Sequence, residues 1–197
     1  MLASLVTTVA AAMVAAIVVW MWEDPGVEHE PKRGELRTIE DCIAVYKAMM
    51  RPPDEPLATT DDDVRRGEVA LGAELPEDFV VFAVGISGFT GMPDQFRGFL
   101  GTRTPHLDIA LLWPSDLKWT GFDPSLIAFY DTGYGDSVCF KVVEGQCIDR
   151  IYRFRHDDPD DRVTEEAPNF RAWLSGYIDR LESERFRWNG TEWVEPP

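Results

Sequence analysis

The stretch from Glu68 to Gly91 constrains the fold of this chain more than any other. Gly72 stands where a helix should stop, because glycine enters the left-handed conformation without a Cβ penalty. Leu75 and Pro76 follow. Proline pre-sets the backbone angle of a first helical turn and has no N–H to lose there. Glu77 and Asp78 then fall in that turn, where negative charge meets the positive end of the helix dipole. Phe79, Phe82 and Ala83 recur at helical spacing and make one apolar face. Gly85, Gly88 and Gly91 end the helix and impose turns. The spacing therefore predicts a helix, a break, a second helix started by proline, and a glycine turn, with no catalytic motif in between.

The same signals organise the rest of the chain. Thr38 to Met50 is helical by spacing, with Thr38 as cap, Asp41 three residues on, and a stripe of Ile39, Cys42, Ile43, Tyr46, Met49 and Met50. Arg51 to Thr60 holds Pro52, Pro53 and Pro56 and reads as a loop, after which Thr60 or Asp61 caps a helix running through Ala70. Beyond Gly91 the pattern becomes short apolar or alternating runs: Phe96–Leu100, Ile109–Trp113, Leu126–Tyr130, Val138–Val143 and Ile148–Phe154. All five are predicted to be strands, with Glu144-Gly145 as a hairpin turn. His156 to Asp161 is an acidic loop, and Asn169 to Ser183 is an amphipathic helix carrying Phe170, Trp173, Leu174, Tyr177, Ile178 and Leu181. Asn189-Gly190, flanked by aromatic residues, predicts a closing hairpin. Helices on either side of a run of antiparallel strands define an α+β domain.

Three segments, taken in order, resemble the SMI1/KNR4 domain of the SUKH superfamily. Its members carry a glutamate-led helix ending in Leu-Gly, then Leu-Pro with an acidic and an aromatic residue, then a glycine turn. Here those positions are Glu68, Leu71, Gly72, Leu75, Pro76, Asp78, Phe79, Phe82 and Gly88. Leu126 to Phe140, with Gly135 and Asp136 at its turn, resembles the family's strand–turn–strand unit, and Ala167 to Leu174 is similar to its closing helix. The likeness runs from about Asp61 to Leu181 and departs at Ser87-Gly88, where many members have Asn-Gly, and between Met92 and Trp119. It implies an antiparallel sheet flanked by helices within a domain spanning 38–197, with its core at 61–181. For bacterial members it implies immunity proteins that bind and neutralise toxins, often nucleases. For fungal relatives it implies scaffolds in cell-wall signalling.

Charge narrows the choice of partner. A formal net charge of −16 disfavours nucleic acid as a direct partner, since backbone binding needs clustered Lys and Arg, and favours a protein partner with a basic surface. Cys42, Cys139 and Cys147 are odd in number and fit neither a zinc site nor a disulfide framework, so packing in a reducing compartment is their expected role.

Met1 to Trp22 contains no charged side chain. At a rise of about 1.5 Å per residue it is long enough to cross a hydrocarbon core of about 30 Å, with Trp20 and Trp22 at the interface. It lacks the basic start and small-residue cleavage site of a signal peptide. Glu23 to Arg37, with Pro25, Gly26 and Pro31, reads as a juxtamembrane linker. Lys32, Arg33 and Arg37 all follow the apolar run, so the positive-inside rule expects a single-pass protein of the inner membrane with its globular domain in the cytoplasm. The alternative is a cytoplasmic protein without an anchor.

Few residues invite a chemical reading. Asp131 and Asp136, around Gly133-Tyr134-Gly135, could form a carboxylate pair or a metal loop, but a calcium loop needs more oxygen ligands at a set spacing. A tight turn in which Asp136 accepts from backbone amides is the more economical reading. His106 with Asp108 could form an acid–base dyad, yet no nucleophile accompanies them, and a turn histidine is the more economical reading. His156 with Asp157, Asp158, Asp160 and Asp161 could bind a divalent cation, although such runs are ordinarily solvated loops. No phosphate loop, zinc motif or nucleophile elbow is present. Neither catalysis nor a cofactor is expected. Trp113 and Trp173 look like core residues, and Trp119, Trp188 and Trp193 like partly exposed ones. Together with Asp131 and Tyr134, Trp119 and Trp188 are the candidate partner contacts. The expected function is a protein-binding module, an immunity protein against a polymorphic toxin. The alternative is a membrane-tethered scaffold or regulator of an envelope complex.

Overall fold

Side-chain caps define where the helices begin. In the computed structural model of the chain, the described residues are 36–52, 59–87, 89, 95–99, 108–119, 121–184, 187–188, 190–191 and 193–194. The expected anchor at 1–22, the linker up to residue 35, Gly88 and His106 lie outside them. Among the described residues no helix is long and apolar enough to cross a membrane. The chain divides into Met1–Lys32 and Arg33–Pro197, and the described residues all belong to the second unit.

Helix α1 (Ile39–Met49) starts at Thr38 and α2 (Asp61–Leu71) at Thr60, each with a complete capping box closed by Asp41 or Asp63. Each box satisfies two amides that a helix start otherwise leaves without partners. Helix α2 ends on Gly72 at φ 68°, and the Gly72 and Ala73 amides fold back onto the carbonyls of Val69 and Glu68. The Glu68 side chain then accepts from the Leu75 amide at 3.0 Å, which fixes the break before α3 (Glu77–Gly85). Pro76 occupies the cap of α3 rather than its first helical position. Asp78 receives both arms of Arg171 at 2.9 and 3.0 Å and ties α3 to the last helix. Glu68, Gly72 and Asp78, the polar and glycine positions of the motif, are thus scaffolding.

Five antiparallel strands follow: β1 (Gln95–Phe96), β2 (Leu126–Asp131), β3 (Ser137–Val143), β4 (Gln146–Phe154) and β5 (Val163–Ala167), in spatial order β1-β2-β3-β4-β5. The long helix α5 (Phe170–Glu184) comes next, and β6 (Arg187–Trp188) pairs with β7 (Trp193–Val194) as the closing hairpin. Ile127, Phe129, Val138, Phe140 and Ile151 face a layer built from α1, α3 and α5. Leu126, Ala128, Cys139 and Phe154 alternate with them and point the other way, where Phe122 covers them. The register shift between Ala128 and Tyr130 lets the consecutive residues Phe129 and Tyr130 both enter the helical layer.

Two expectations change. Ile109–Trp113 is not a strand but the body of helix α4 (Ile109–Asp116). The Asp108 side chain caps it, accepting from the amides of Ala110 and Leu111 at 3.0 and 2.9 Å. A short apolar run has no period of its own, so the cap decides its conformation. Among the described residues of the Phe96–Leu100 run only Phe96 lies in a strand, and Gly98 bridges to Asp108. A fifth strand, β5, was not foreseen because its sequence is polar. As an edge strand it needs only one buried neighbour. Arg37, placed at the end of the expected linker, is buried, and it bonds Asp179 and Glu182 of α5 at 3.0 and 2.6 Å.

The β3–β4 turn holds Glu144 at φ 52° and Gly145 at φ 80°. Positive φ at both central residues is the hairpin geometry that favours Asn-Gly, and the left-handed form is costly for a residue with an ordinary side chain. Glu144→Asn is expected to raise stability by about 0.5–1 kcal/mol, read as a higher urea midpoint at unchanged slope. An unchanged midpoint would mean that the glutamate is not strained there.

Candidate functional site

Three chain segments meet at the end of the sheet where β2 leaves and β3 begins. The first is the turn from Thr132 to Asp136. Gly133 and Gly135 take φ of 79° and 93°, as the turn reading requires. Asp131 accepts from the Gly133 amide at 2.8 Å, and Thr132 donates its amide and its hydroxyl to the Asp136 carbonyl at 3.2 and 3.0 Å. Asp131 is therefore a turn cap, and its second oxygen lies 3.9 Å from Arg97.

The second segment joins β4 to β5. The Arg155 amide donates to the Arg162 carbonyl at 2.8 Å, which closes the loop at its base. Asp158 accepts from the amides of Asp160 and Asp161 at 3.2 and 3.0 Å, a local turn of the kind aspartate favours. The third segment precedes β2. Trp119 packs on Phe122 and Phe154, with ring centres 6.2 and 6.4 Å away. Gly121, at φ 78°, brings its backbone so close to Arg162 that a Cβ would lie 2.1 Å from the guanidinium.

The two loops interlock. Asp136 accepts from the His156 amide at 3.3 Å and faces the ring Nδ1 at 3.2 Å. Gly135 is the residue that permits this approach, since a Cβ there would stand 2.7 Å from Nδ1. The expectation that backbone amides hold Asp136 is met by one amide only. The rest of its environment is the imidazole and Arg153, whose guanidinium lies 3.9 Å away. That guanidinium makes its own paired bonds to Glu166 at 2.8 and 2.9 Å. The sequence treats the Asp136 turn and the His156 loop as separate features, but the fold brings them into one corner. One possible ligand atom from each of Asp136, His156 and Asp157 lies within 4.8 Å of the other two.

The candidate partner contacts separate. Tyr134, at the tip of the turn, is 78% exposed. Trp119 is 36% exposed and sits on the sheet face opposite the helical layer. Trp188 belongs to the closing hairpin, which lies against α1 on the helical side, so it does not join Trp119. Trp173 is buried, and Trp113 donates its indole N–H to the Leu126 carbonyl at 3.0 Å. Asp108 caps α4, and His106, its candidate dyad partner, lies outside the described residues.

The thiols are free and built into the core. Burial pushes Cys42 and Cys147 up to about 12 and Cys139 higher still, so none of the three is present as the reactive thiolate at neutral pH.

No curated protein matches this chain. Residues 58–176 match the model of the SMI1 / KNR4 family (SUKH-1), more than half of the chain and closely the span over which the three motifs run. That span holds α2, α3, the five-stranded sheet and the first half of α5, and the chain belongs to the SMI1/KNR4 family (SUKH-1).

Proposed function

We propose that this chain is a non-enzymatic protein-binding module, an immunity protein that binds and neutralises a polymorphic toxin through a basic surface on that toxin. The observation that carries the reading is the end of the sheet. There an exposed tyrosine at the tip of one loop and the carboxylates of two interlocked loops belong to a protein with a net charge of −16. A nuclease-type toxin fits on electrostatic grounds, because its nucleic-acid site must itself be basic. Membership of the family supports the same class of function through what the resemblance implies for bacterial members. The uncharged run at 1–22 favours a second reading, a scaffold or regulator tethered at the inner membrane with its globular domain in the cytoplasm.

Charges at the rim of an interface set the association rate and its salt dependence, while buried aromatic anchors set the dissociation rate. The full chain should associate with its partner several-fold more slowly at physiological salt than at low salt, as the screening length falls to about 8 Å. Stopped-flow or surface-based kinetics on a partner recovered by pull-down measures this. A neutral or acidic partner bound at a salt-independent rate removes the electrostatic basis of the reading. A partner that is a component of an envelope complex supports the tethered scaffold.

A further inference from the structure

In the interior, one buried cation faces two carboxylates that belong to different surface elements. Arg97 follows β1 and is buried. Its guanidinium forks onto Asp116 at the end of α4, and the Nη2 arm, the longer of the two, measures 3.3 Å. The same Nη2 lies 3.9 Å from Oδ2 of Asp131, where β2 ends and the turn to β3 begins. We propose that Arg97 is a conformational coupler. Its one charge is divided between Asp116 and Asp131, so the segment carrying Trp119 and the turn carrying Tyr134 compete for it, and loosening either tightens the other. The coupling is a property of the folded chain and goes beyond the binding reading, since it needs no partner of either sign.

Backbone geometry ties each carboxylate to its surface element. The Trp119 amide donates to the Asp116 carbonyl at 2.9 Å, and the Phe122 amide to the Trp119 carbonyl at 3.1 Å, so the end of α4 sets where the tryptophan stands. Asp131 accepts from the Gly133 amide through Oδ1 at 2.8 Å while Oδ2 faces Arg97, so one side chain both caps the turn and meets the buried charge. Tyr134 follows at the tip, 78% exposed.

The guanidinium has reason to move between the two. One positive charge cannot neutralise two negative ones, and in a site shielded from water the competition is stronger than at the surface. The base of Arg97 is fixed, because its amide donates to the Phe129 carbonyl at 2.8 Å. Its free end is not saturated. Nε is buried without a hydrogen-bond partner among the described residues, and so is the hydroxyl of Ser137, the residue opposite Asp131 across β2 and β3. A shift of the guanidinium toward Asp131 therefore breaks no bond at Nε and lengthens only the longer arm of the fork.

Hydrogen exchange of the full chain reads the coupling at four amides, those of Trp119 and Phe122 on one side and of Thr132 and Gly133 on the other. Asp116→Asn removes a charge and keeps the shape, which turns Arg97 toward Asp131. Exchange at Trp119 and Phe122 should quicken and exchange at Thr132 and Gly133 should slow, each by about two- to fivefold, the range for one partly exposed charge contact. Asp131→Asn is the mirror experiment, since asparagine still caps the turn but no longer attracts Arg97. There Thr132 and Gly133 should quicken and Trp119 and Phe122 slow by similar factors, as reciprocal coupling requires. Opposite movement separates a coupler from a merely structural pair, because general loosening quickens all four amides. Quickening at all four in either variant, or an unchanged far pair, overturns the proposal. Asp131 lies at the surface, so its variant keeps the fold. If Asp116→Asn unfolds the chain, Asp131→Asn alone decides between the same outcomes.

Discussion

Phe79→Ala should lower the unfolding free energy by about 3–5 kcal/mol, the usual cost of emptying a fully buried aromatic site. Phe79 is 0% exposed, and its ring contacts radiate to four others. Phe140, Phe170, Phe129 and Phe99 lie at centroid distances of 5.2, 5.4, 5.5 and 6.2 Å. These neighbours come from β3, α5, β2 and the segment after β1, so the ring is where the helical layer meets the sheet. Truncation removes the apolar transfer term and leaves a void that four rigid rings cannot close. A domain of this size holds about 5–15 kcal/mol in total, so the variant would lose a large share of its stability. Urea unfolding followed by tryptophan fluorescence measures the loss. A change below about 1 kcal/mol would mean that the core repacks freely and that the aromatic cluster is not a rigid unit.

The second large effect is expected on the opposite side of the sheet. Arg97 is 4% exposed and Asp116, at the end of α4, is 2% exposed. Their groups form a forked ion pair, and Arg97 also reaches the Ala128 carbonyl at 3.5 Å. Burial outweighs the attraction of Arg97 and pushes the Asp116 carboxyl above its ordinary value. The pair therefore costs desolvation as well as supplying attraction, and its removal as a unit should do little harm. Removing one partner is different, because the other charge is then left in a dry site. Asp116→Leu is expected to cost about 3–5 kcal/mol, and the double variant Arg97→Met with Asp116→Leu distinctly less. A double-mutant cycle in urea reads the difference. Additive losses would show that the two side chains act independently, with the guanidinium reaching water when its partner is gone.

How much of this was legible beforehand depends on whether the signal is local. Thr38, Thr60, Gly72 and the Glu144-Gly145 turn were readable because a cap or a positive φ is decided by a residue and its near neighbours. Helix α4 was misread because Ile109–Trp113 is apolar throughout and carries no period, and the cap that settles it, Asp108, lies just outside the run. Strand β5 was missed because Glu165 and Glu166 look like loop residues. Arg150 on β4 reaches the first at 2.7 Å, and Arg153 and Trp173 bond the second at 2.8 and 3.1 Å, partners far away in sequence.

For the surface the division is sharper. Tyr134, Asp136, His156 and Asp157 were each visible as polar or aromatic residues in turns, and the net charge pointed to a basic partner. By itself the sequence determined the family, the starts of α1 and α2, the two hairpin turns and the sign of the net charge, because each rests on short-range backbone preference or on composition. Only the tertiary structure decided that the two loops form one corner, that Trp119 packs on Phe154, and that Arg97 and Asp116 pair in the interior. The physical reason is that these are contacts between segments about 20 to 35 residues apart, set by strand register and close packing, to which no local preference contributes.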